Sequence, residues 1–566
     1  MGQVGHIHKN NVNLAVLTGK QALKFSLNQG VGWTVNKQSF IKGTLILLAA
    51  GILNRILGFI PRIALPRIIG PEGVGIYQLG YPFFIVLVTI ITGGIPLAIA
   101  KMVAEAEGAG KRDASKQILQ VSLMLTLTAG TLFMGLSLLL APWVTGVLLP
   151  DERVFQTFIS MTPMLIIIAV SSVYRGYFQG KQNMIPSASS SVIETIVRIV
   201  CMLWFAHLLM PKGIEYGAAG AMLGTAVGEL IGMVALLLQY AGEERRNGKL
   251  LPKSPQPDTS GLKEPADSTR GILKRLAGIA IPVTGGRMVG SFSYLLETIL
   301  TNRSLALAGI ATTVATAQYG ALQGMVIPLL LLPGALTVSL AISLVPSLSE
   351  ASARNDRVTI HKRMNQSLRL ALVSGAPFAV VMYVLAEPLC LLLYDNREVG
   401  TMLKMMAPFA LFLYVQSPLQ AALQALDRPG RALVNTLIGA LIKMSLIVYL
   451  ASNPAFGIKG AVIAILVNSV AVTMLHGFSL SRLIGFRFRL LDYMKTAAVM
   501  LIMGASILYG YNHLPFSAQP WLQFLASVSV GFAVYLAVIF MTRLVTPRDL
   551  ERVPVVGAWL NRSGRR

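Results

Sequence analysis

The sequence predicts an all-α, polytopic membrane protein of about 14 transmembrane helices, and three observations support this fold class. Of the 566 residues, 54% are hydrophobic and only 13% are charged, a balance far outside that of soluble domains. Apolar stretches of about 20 residues, enough to cross a bilayer as a helix, recur along the chain. The formal net charge of +24 fits basic residues at cytoplasmic ends of spans better than nucleic-acid binding.

Fourteen apolar stretches are long enough to span a membrane. They cover residues 43–64, 77–100, 118–141, 155–178, 186–209, 218–240, 276–300, 317–345, 368–393, 402–425, 432–451, 459–481, 493–512 and 520–542. The even-numbered connections carry most of the basic residues, such as Arg112 after span 2 and Arg489 after span 12. Because Lys and Arg stay on the cytoplasmic side of short loops, both termini are predicted to be cytoplasmic.

One connection, residues 242–274, is long, polar and rich in proline, which is typical of a flexible linker. It divides an N-lobe (39–241, spans 1–6) from a C-lobe (275–485, spans 7–12). Spans 13 and 14 (486–545) follow the second lobe. Residues 1–38 lack the pattern of a signal peptide and are predicted to be a cytoplasmic extension, and residues 546–566 a basic cytoplasmic tail.

The two lobes resemble each other in sequence, which predicts a duplication. Four short segments match in the same order at a nearly constant offset, as in transporters built from parallel repeats. The matched pairs are Arg55 and Arg287, Glu105 and Glu350, Gln179 and Gln424, Arg198 and Lys443, and Tyr216 and Phe456. We therefore expect two pseudo-symmetric six-helix lobes with a site between them.

Three arginines are the candidates for substrate binding. Arg55 lies in the middle of the first apolar stretch, Arg62 follows on the same stretch, and Arg287 lies in the matched span 7. Placing a guanidinium in lipid costs free energy, so an arginine inside a span is expected to face a cavity. Its planar group of N–H donors can form two parallel hydrogen bonds to phosphate oxygens. The alternative is that an arginine close to a span's end extends its head group to the membrane surface.

Five further charged residues inside spans are candidates for ion pairs or for coupling. Glu194 and Arg198 are four residues apart on one helix, so a structural ion pair is the favoured interpretation. Glu229 and Glu297 could bind a coupling proton or cation. Lys443 lies in span 11.

Prolines and glycines interrupt the spans that would line the cavity. Such residues are candidate bending points for alternating access, although they are common in membrane helices generally. The candidates are Pro61, Pro66, Gly94, Pro96, Gly286 and Pro333. No metal site or cofactor is predicted, because the six histidines are scattered and Cys201 and Cys390 lie in apolar stretches.

Three segments carry a family resemblance: NRILGFIPRIALPRIIGPEGVGIYQL from Asn54, TGGIPLAIAKMVAEA from Thr92, and YRGYFQGKQNMIPSASSSVIETIVRIV from Tyr174. They closely resemble the stage V sporulation protein B group of Bacillus-type bacteria. This group is part of the MATE-like (MOP) superfamily of polysaccharide and lipid-linked oligosaccharide exporters, which includes the lipid II flippase MurJ. The resemblance covers roughly residues 38–545.

The resemblance implies fourteen helices, two lobes and a central cavity formed chiefly by spans 1, 2, 7 and 8. It places Arg55 on the essential first-span arginine of MurJ-type proteins. The second first-span arginine of MurJ-type proteins falls on Pro61 in this sequence, with Arg62 adjacent. The arginines that MurJ-type proteins have in spans 2 and 8 have no counterpart here, because those spans contain glutamines instead: Gln78, and Gln318 or Gln323. Lys443 argues against the second-lobe sodium site that some relatives have.

The resemblance and the cationic spans together predict a transporter and not an enzyme. It would be a flippase that moves an undecaprenyl-diphosphate-linked sugar, such as lipid II or a spore-wall relative, across the bacterial cytoplasmic membrane by alternating access. Its partners would be that glycan precursor, membrane lipids and a coupling ion that the sequence does not identify, with no nucleic acid. The alternatives are a MATE-type drug/cation antiporter, which should have a carboxylate-lined cavity, and an exporter of another lipid-linked unit. A membrane glycosyltransferase would need a catalytic carboxylate cluster that the sequence lacks.

Overall fold

The computed structural model describes residues 40–149, 151–250, 268–515 and 518–544. All regular secondary structure in these ranges is helical, which confirms the all-α fold class. Twelve helical stretches of the described chain are long and apolar enough to cross a membrane. The predicted extension 1–38, most of the predicted linker and the tail 546–566 lie outside the described residues.

The helices before the linker form the first group. They are α1 (Phe40–Leu57), α2 (Phe59–Thr92), α3 (Ile95–Gly108), α4 (Arg112–Trp143), α5 (Val154–Met161), α6 (Met164–Gly180), α7 (Ile185–Leu209) and α8 (Ile214–Leu250). Helix α4 continues into a π-helical turn, Val144–Leu148. Short breaks at Thr162–Pro163 and at Met210–Lys212 separate α5 from α6 and α7 from α8.

The helices after the linker form the second group. They are α9 (Thr269–Leu307), α10 (Thr312–Gly320), α11 (Ile327–Leu331), α12 (Gly334–Ala353), α13 (Arg357–Val384), α14 (Ala386–Tyr394), α15 (Glu398–Met406), α16 (Ala410–Ala425), α17 (Pro429–Leu446), α18 (Ile458–Ile484), α19 (Leu490–His513) and α20 (Pro520–Met541). π-Helical turns follow α10 and α17, at Ala321–Val326 and Ile447–Ala451.

Two features explain why twelve stretches are found where fourteen spans are predicted. Residues 49–108 form one nearly continuous helical stretch that contains most of predicted span 1 and all of predicted span 2. The predicted connection between the two spans reduces to a kink at Gly70 (φ 66°, ψ 177°). Helix α9, which contains span 7, is 39 residues long but carries several charged residues. The count of fourteen therefore remains a prediction.

Left-handed backbone positions repeat between the two groups. Each pair terminates or separates corresponding helices: Gly70 and Gly309, Gly110 and Asn355, Gln182 and Asp427, and Gly213 and Gly457. The last three pairs are 244 or 245 positions apart, whereas the first is 239 apart. Helix α12 has 20 residues and its counterpart α3 has 14, which accounts for the change of six. This register supports the predicted duplication.

Helix interruptions coincide with some of the predicted bending points. The break between α2 and α3 falls at Gly93 and Gly94, with Pro96 in the first turn of α3. The break between α11 and α12 falls at Leu332 and Pro333. Each break begins 23 residues after a glycine with positive φ, Gly70 in the first case and Gly309 in the second. Broken membrane helices of this kind are tolerated where other parts of the protein satisfy the freed backbone groups.

The other predicted bending points do not interrupt a helix. Pro61 and Pro66 both lie within α2, and the nearby departures from helical geometry are at Gly58 and Gly70. Gly286 lies in the continuous helix α9, so bending at this position stays a prediction. Pro61 lies in the first turn of α2. Proline is tolerated there because the backbone N–H groups of a first turn form no hydrogen bonds within the helix.

The two groups meet mainly through α2, which packs against α9, α10 and the π-helical turn that follows α10. We call the end of the molecule that carries Gly70, Asp151 and Asp395 the Gly70 end. The opposite end, where α3, α6 and α8 finish and α9 begins, is the linker end. Interactions between the groups occur at both ends.

At the Gly70 end, α2 and α10 approach each other at two glycines. A Cβ on Gly75 would overlap the backbone of Thr316, and one on Gly320 would overlap the carbonyl of Pro71. The buried carboxylate of Asp151 accepts a hydrogen bond from Thr316 Oγ1 (2.7 Å) and pairs with Arg153. Contact between backbones leaves no space between the two groups at this end.

At the linker end, the break in α2–α3 packs on α9. The backbone N–H of Gly94 donates to Thr284 Oγ1 (2.9 Å), and the hydroxyls of Thr89 and Ser291 lie 2.8 Å apart. Arg275 pairs with Glu105 across the same boundary. The two groups are therefore in contact at both ends in this conformation.

The predicted orientation of the two ends can be tested with single cysteines. In a variant without Cys201 and Cys390, we expect a cysteine at the exposed position Glu152, at the Gly70 end, to react with an impermeant maleimide in intact cells. A cysteine at the exposed position Ala109, at the linker end, should react only after the membrane is permeabilised. The reverse pattern would contradict the orientation drawn from loop charges.

Candidate functional site

Arg62 lies between the two closed ends, on the first segment of α2. Its side chain is exposed, and it interacts electrostatically with the hydroxyls of Tyr77 and Tyr81 on the same helix and of Tyr294 on α9. All three tyrosines are partly buried. We call these four residues the Arg62 cluster. The guanidinium is accessible, and the tyrosines that it influences belong to both groups of helices; an exposed arginine of this kind can bind an anion.

The depth of Arg62 follows from its position in the helix. It precedes the turn at Gly70 by eight residues, or roughly 12 Å at 1.5 Å per residue. Predicted span 1 covers 43–64, so Arg62 lies in the last turn of that span, on the side of the Gly70 end. A guanidinium inside a span is expected to face polar surroundings.

Arg55 lies on α1, one helix before Arg62. Its side chain is exposed, and α1 packs against α7, where Asn54 Nδ2 donates to Ser191 Oγ at 2.6 Å. Arg55 precedes Gly70 by 15 residues, which is roughly 22 Å along a straight helix. It is therefore closer to the linker end than Arg62.

The structure does not support the predicted equivalence of Arg55 and Arg287. Counted from the corresponding turn glycines, Arg55 precedes Gly70 by 15 residues but Arg287 precedes Gly309 by 22. The difference of seven residues is about two helical turns, or roughly 10 Å. Arg287 is exposed and has no salt-bridge partner among the described residues. It lies near the middle of α9 (Thr269–Leu307), one turn from Ser291.

A second cluster of charges lies within the first group of helices. Glu194 accepts hydrogen bonds from Arg198 (3.2 Å), as its spacing predicts, and from Arg175 of α6 (2.5 Å). Arg198 also approaches Glu229 of α8 at 3.8 Å. Glu194 and Glu229 are nearly buried, and the arginines are about one third exposed. We call these four residues the Glu194 cluster.

The second group of helices contains a simpler ion pair. Lys443 Nζ of α17 lies 2.5 Å from Glu297 Oε2 of α9, and both side chains are about nine-tenths buried. Gln323 donates to the other carboxylate oxygen of Glu297 at 3.1 Å. Glu297 is therefore paired with Lys443 in this conformation. It also joins three membrane helices at one point.

Sequence reasoning missed the tyrosines and the partners on other helices. Tyr77, Tyr81 and Tyr294 are aromatic residues in apolar stretches, which are more often packing residues. Arg175 lies near a helix end, where a basic residue is expected. The one signal in the sequence for these residues is that each places a polar group in an otherwise apolar stretch.

No group of three or more possible metal ligands is found among the described residues. The acidic side chains inside the spans are instead matched with arginine or lysine. The cationic character of the interior is therefore concentrated on the arginines of α1, α2 and α9.

Two family models match the chain. The one described as polysaccharide biosynthesis protein matches residues 40–352, which is more than half of the 566 residues. The chain belongs to this family. A second model, MatE, matches residues 291–449, so that the two matches together extend from α1 to α17.

Relatives in the polysaccharide biosynthesis protein family cover most of the chain. Stage V sporulation protein B of Bacillus subtilis (strain 168) is 38% identical over 521 residues, which are 92% of this chain and 99% of that protein. Lipid II flippase MurJ of the same strain is 25% identical over 484 residues, 82% of this chain and 86% of that protein. These matches confirm the predicted resemblance to the stage V sporulation protein B group.

Solved structures show that the fold is shared with transporters. Lipid II flippase MurJ in an inward closed conformation superposes with a TM-score of 0.65 at 16% identity, over 88% of this chain and 99% of that one. A multidrug resistance MATE family transporter of the MOP superfamily, inward-facing, has a TM-score of 0.57 at 15% identity, over 84% and 98%. The chain is therefore a multi-pass membrane protein with the MATE-like fold.

Proposed function

We propose that the protein is a flippase that moves an undecaprenyl-diphosphate-linked sugar across the bacterial cytoplasmic membrane, the sugar unit being lipid II or a related cell-wall or spore-cortex precursor. The carrying observation is the Arg62 cluster, an accessible guanidinium inside the first apolar stretch that interacts electrostatically with tyrosines of both groups of helices. A diphosphate presents oxygens that match the planar fork of arginine. No bond is made or broken in this process.

The depths of the three arginines suggest how a headgroup would travel. Measured from the turn glycines, Arg287, Arg55 and Arg62 lie at roughly 33, 22 and 12 Å. The headgroup would meet Arg287 and Arg55, both near the middle of their predicted spans, and would then be held at Arg62, which is closer to the Gly70 end. The prenyl chain would remain in lipid, because moving it into a polar passage would lose the favourable free energy of keeping apolar surface in hydrocarbon.

Alternating access would require the two closed ends to open in turn. Opening the Gly70 end must separate Gly75 from Thr316 and break the hydrogen bond between Thr316 and Asp151. Opening the linker end must separate Gly94 from Thr284. Opening the Gly70 end must also separate apolar residues of α2 from those of α10 and the π-helical turn after it, such as Val74 and Tyr319, which belong to one buried cluster.

A drug/cation antiporter of the MATE type is the weaker alternative. A cationic drug would need an unpaired carboxylate in the central cavity. Glu297 is paired with Lys443, and Glu194 with two arginines, whereas the exposed charges at the centre are cationic. This balance favours an anionic substrate.

The decisive experiment is a leaflet-accessibility assay in cells depleted of other flippases. We expect expression of this protein to bring labelled lipid II to the outer leaflet, where an impermeant probe detects it. If lipid II stays in the inner leaflet while the protein is present in the membrane at normal level, lipid II is not the substrate. Repeating the assay with a different undecaprenyl-linked glycan then distinguishes the choice of sugar from the flippase reaction itself.

A further inference from the structure

A cavity of about 510 Å³ lies at the Gly70 end, between the two groups of helices. On one side it is lined by α2 between Pro66 and Pro71, and on the other by the end of α14 and the residues that follow it, between Leu391 and Asn396. Ligand sites in proteins have volumes of roughly 300 to 1,000 Å³. The cavity is therefore large enough for a small ligand, which would contact both groups of helices at once.

Arg67 connects the two walls of the cavity. Its Nε atom donates a hydrogen bond to the carbonyl of Leu393 (2.7 Å), and a second guanidinium nitrogen donates to the carbonyl of Leu392. Both carbonyls belong to the last turn of α14, where carbonyls lack partners within the helix. The side chain of Arg67 is nevertheless exposed. A guanidinium has five N–H groups, so those that do not bind α14 remain available to a ligand.

Asp395 and Asn396 bring hydrogen-bonding groups of other kinds to the same cavity. The side chain of Asp395 is exposed and forms no ion pair with another described residue. Asn396 Oδ1 accepts a hydrogen bond from the backbone N–H of Val399 (3.2 Å), which leaves the two N–H groups of its Nδ2 as donors. The cavity therefore offers an acceptor as well as donors.

This mixture of groups fits a neutral ligand with several hydroxyls better than an ion. A hydroxyl both donates and accepts, so a sugar can donate to Asp395 and accept from Arg67 or Asn396. A second anion would meet the carboxylate of Asp395 and the negative end of the α14 dipole, and a cation would meet Arg67. Pro66 and Pro71 add apolar surface against which the carbon atoms of a sugar ring can pack.

The cavity lies beyond Arg62 along the same helix. Arg67 follows Arg62 by five residues, a rise of about 7.5 Å toward the Gly70 end. Tyr394, which lines the cavity, donates from its hydroxyl to the carbonyl of Met325 (3.3 Å) and interacts electrostatically with Arg62. In a prenyl-diphosphate-linked sugar, the first sugar ring is bonded directly to the diphosphate. A diphosphate at Arg62 and its sugar in the cavity are therefore compatible with the length of one headgroup.

We propose, building on the proposed function, that this cavity binds the first sugar of the lipid-linked substrate while Arg62 holds the diphosphate. All prenyl diphosphates share the diphosphate, so recognition of the sugar takes place at the cavity. A sugar that bonds to Arg67 on one wall and to Asp395 on the other favours the conformation in which α2 and α14 are in contact.

Two lipids that differ only in the sugar test this site: undecaprenyl diphosphate, and the same lipid carrying one N-acetylglucosamine. We expect the full-length protein in lipid vesicles to bind the sugar-linked lipid more tightly. Asp395→Asn should weaken binding of that lipid about tenfold, because a hydrogen bond to a charged acceptor is replaced by one to a neutral acceptor. Its affinity for undecaprenyl diphosphate should stay unchanged.

Asp427 provides the matched control. Asp395 and Asp427 are both exposed and both have a left-handed backbone, with φ of 55° and 57°. Asparagine adopts this conformation as aspartate does, so neither replacement strains the chain. Asp427 lies at the linker end, and Asp427→Asn should change neither affinity.

The two lipids also separate this site from the proposed function. Equal wild-type affinities for both lipids, or an equal loss of both in Asp395→Asn, would overturn the sugar site and leave the flippase proposal standing. Binding of neither lipid to the wild-type protein would contradict the flippase proposal, and the sugar site with it. Because the two affinities are compared within one protein, a variant that folds poorly cannot produce the expected selective loss.

Discussion

Replacing Arg62 with alanine is expected to abolish transport and to weaken binding of a diphosphate-linked lipid about 10- to 100-fold. The reason is that hydrogen bonds to a charged group contribute about 1.5 to 3 kcal/mol, and each 1.4 kcal/mol is a factor of about ten in affinity. Arg62→Lys should retain part of the binding, because an ammonium group keeps the charge but lacks the paired fork of donors. Binding to vesicle-embedded protein and the leaflet assay measure the two effects separately.

The other two arginines provide matched comparisons for this prediction. We expect Arg55→Ala to impair transport more than equilibrium binding, since Arg55 would be on the path and not at the holding position. Arg287→Ala should have a smaller effect on binding than Arg62→Ala, because of the three arginines Arg287 lies farthest along its helix from the corresponding turn glycine. Full transport by Arg62→Ala at normal membrane level, or a larger loss of binding in Arg287→Ala, would contradict the assignment of the headgroup to Arg62.

Much of the fold could be predicted because hydrophobic length is a strong signal. Predicted span 14, for example, covers 520–542, and α20 extends over Pro520–Met541. The kink at Gly70 could not be predicted, because residues 59–92 remain apolar on both sides of it and carry three internal prolines that do not coincide with it. Whether a glycine takes a positive φ depends on packing that is not visible in the local sequence.

The candidate site was predicted less completely than the fold. The arginines were found because a charge inside an apolar stretch is rare. Their relative depths were not, since the short match between NRILG and GRMVG favoured a pairing of Arg55 with Arg287 that the register of the turn glycines does not support. Partners on neighbouring helices, such as Arg175 for Glu194, have no spacing rule in sequence.

Removing either member of the pair between Lys443 and Glu297 is expected to destabilise the protein by about 3 kcal/mol. Both side chains are about nine-tenths buried and 2.5 Å apart, so each single replacement leaves an uncompensated charge inside the membrane, which costs more than the pair itself contributes. Lys443→Met and Glu297→Gln should each lower the midpoint of thermal unfolding in detergent. Both should also reduce the amount of folded protein.

The double replacement distinguishes this cause from a loss of packing. If the cost comes from the unpaired charge, Lys443→Met combined with Glu297→Gln should recover most of the stability, because two neutral groups of similar size leave no charge behind. The exposed pair of Glu350 and Arg354, with side chains 57% and 74% exposed, is the matched control, and its single replacements should change stability by no more than about 0.5 kcal/mol. A double variant as unstable as the sum of the single variants would show that the two residues act independently. In that case the pair would not be what joins α9 to α17 at mid-membrane depth.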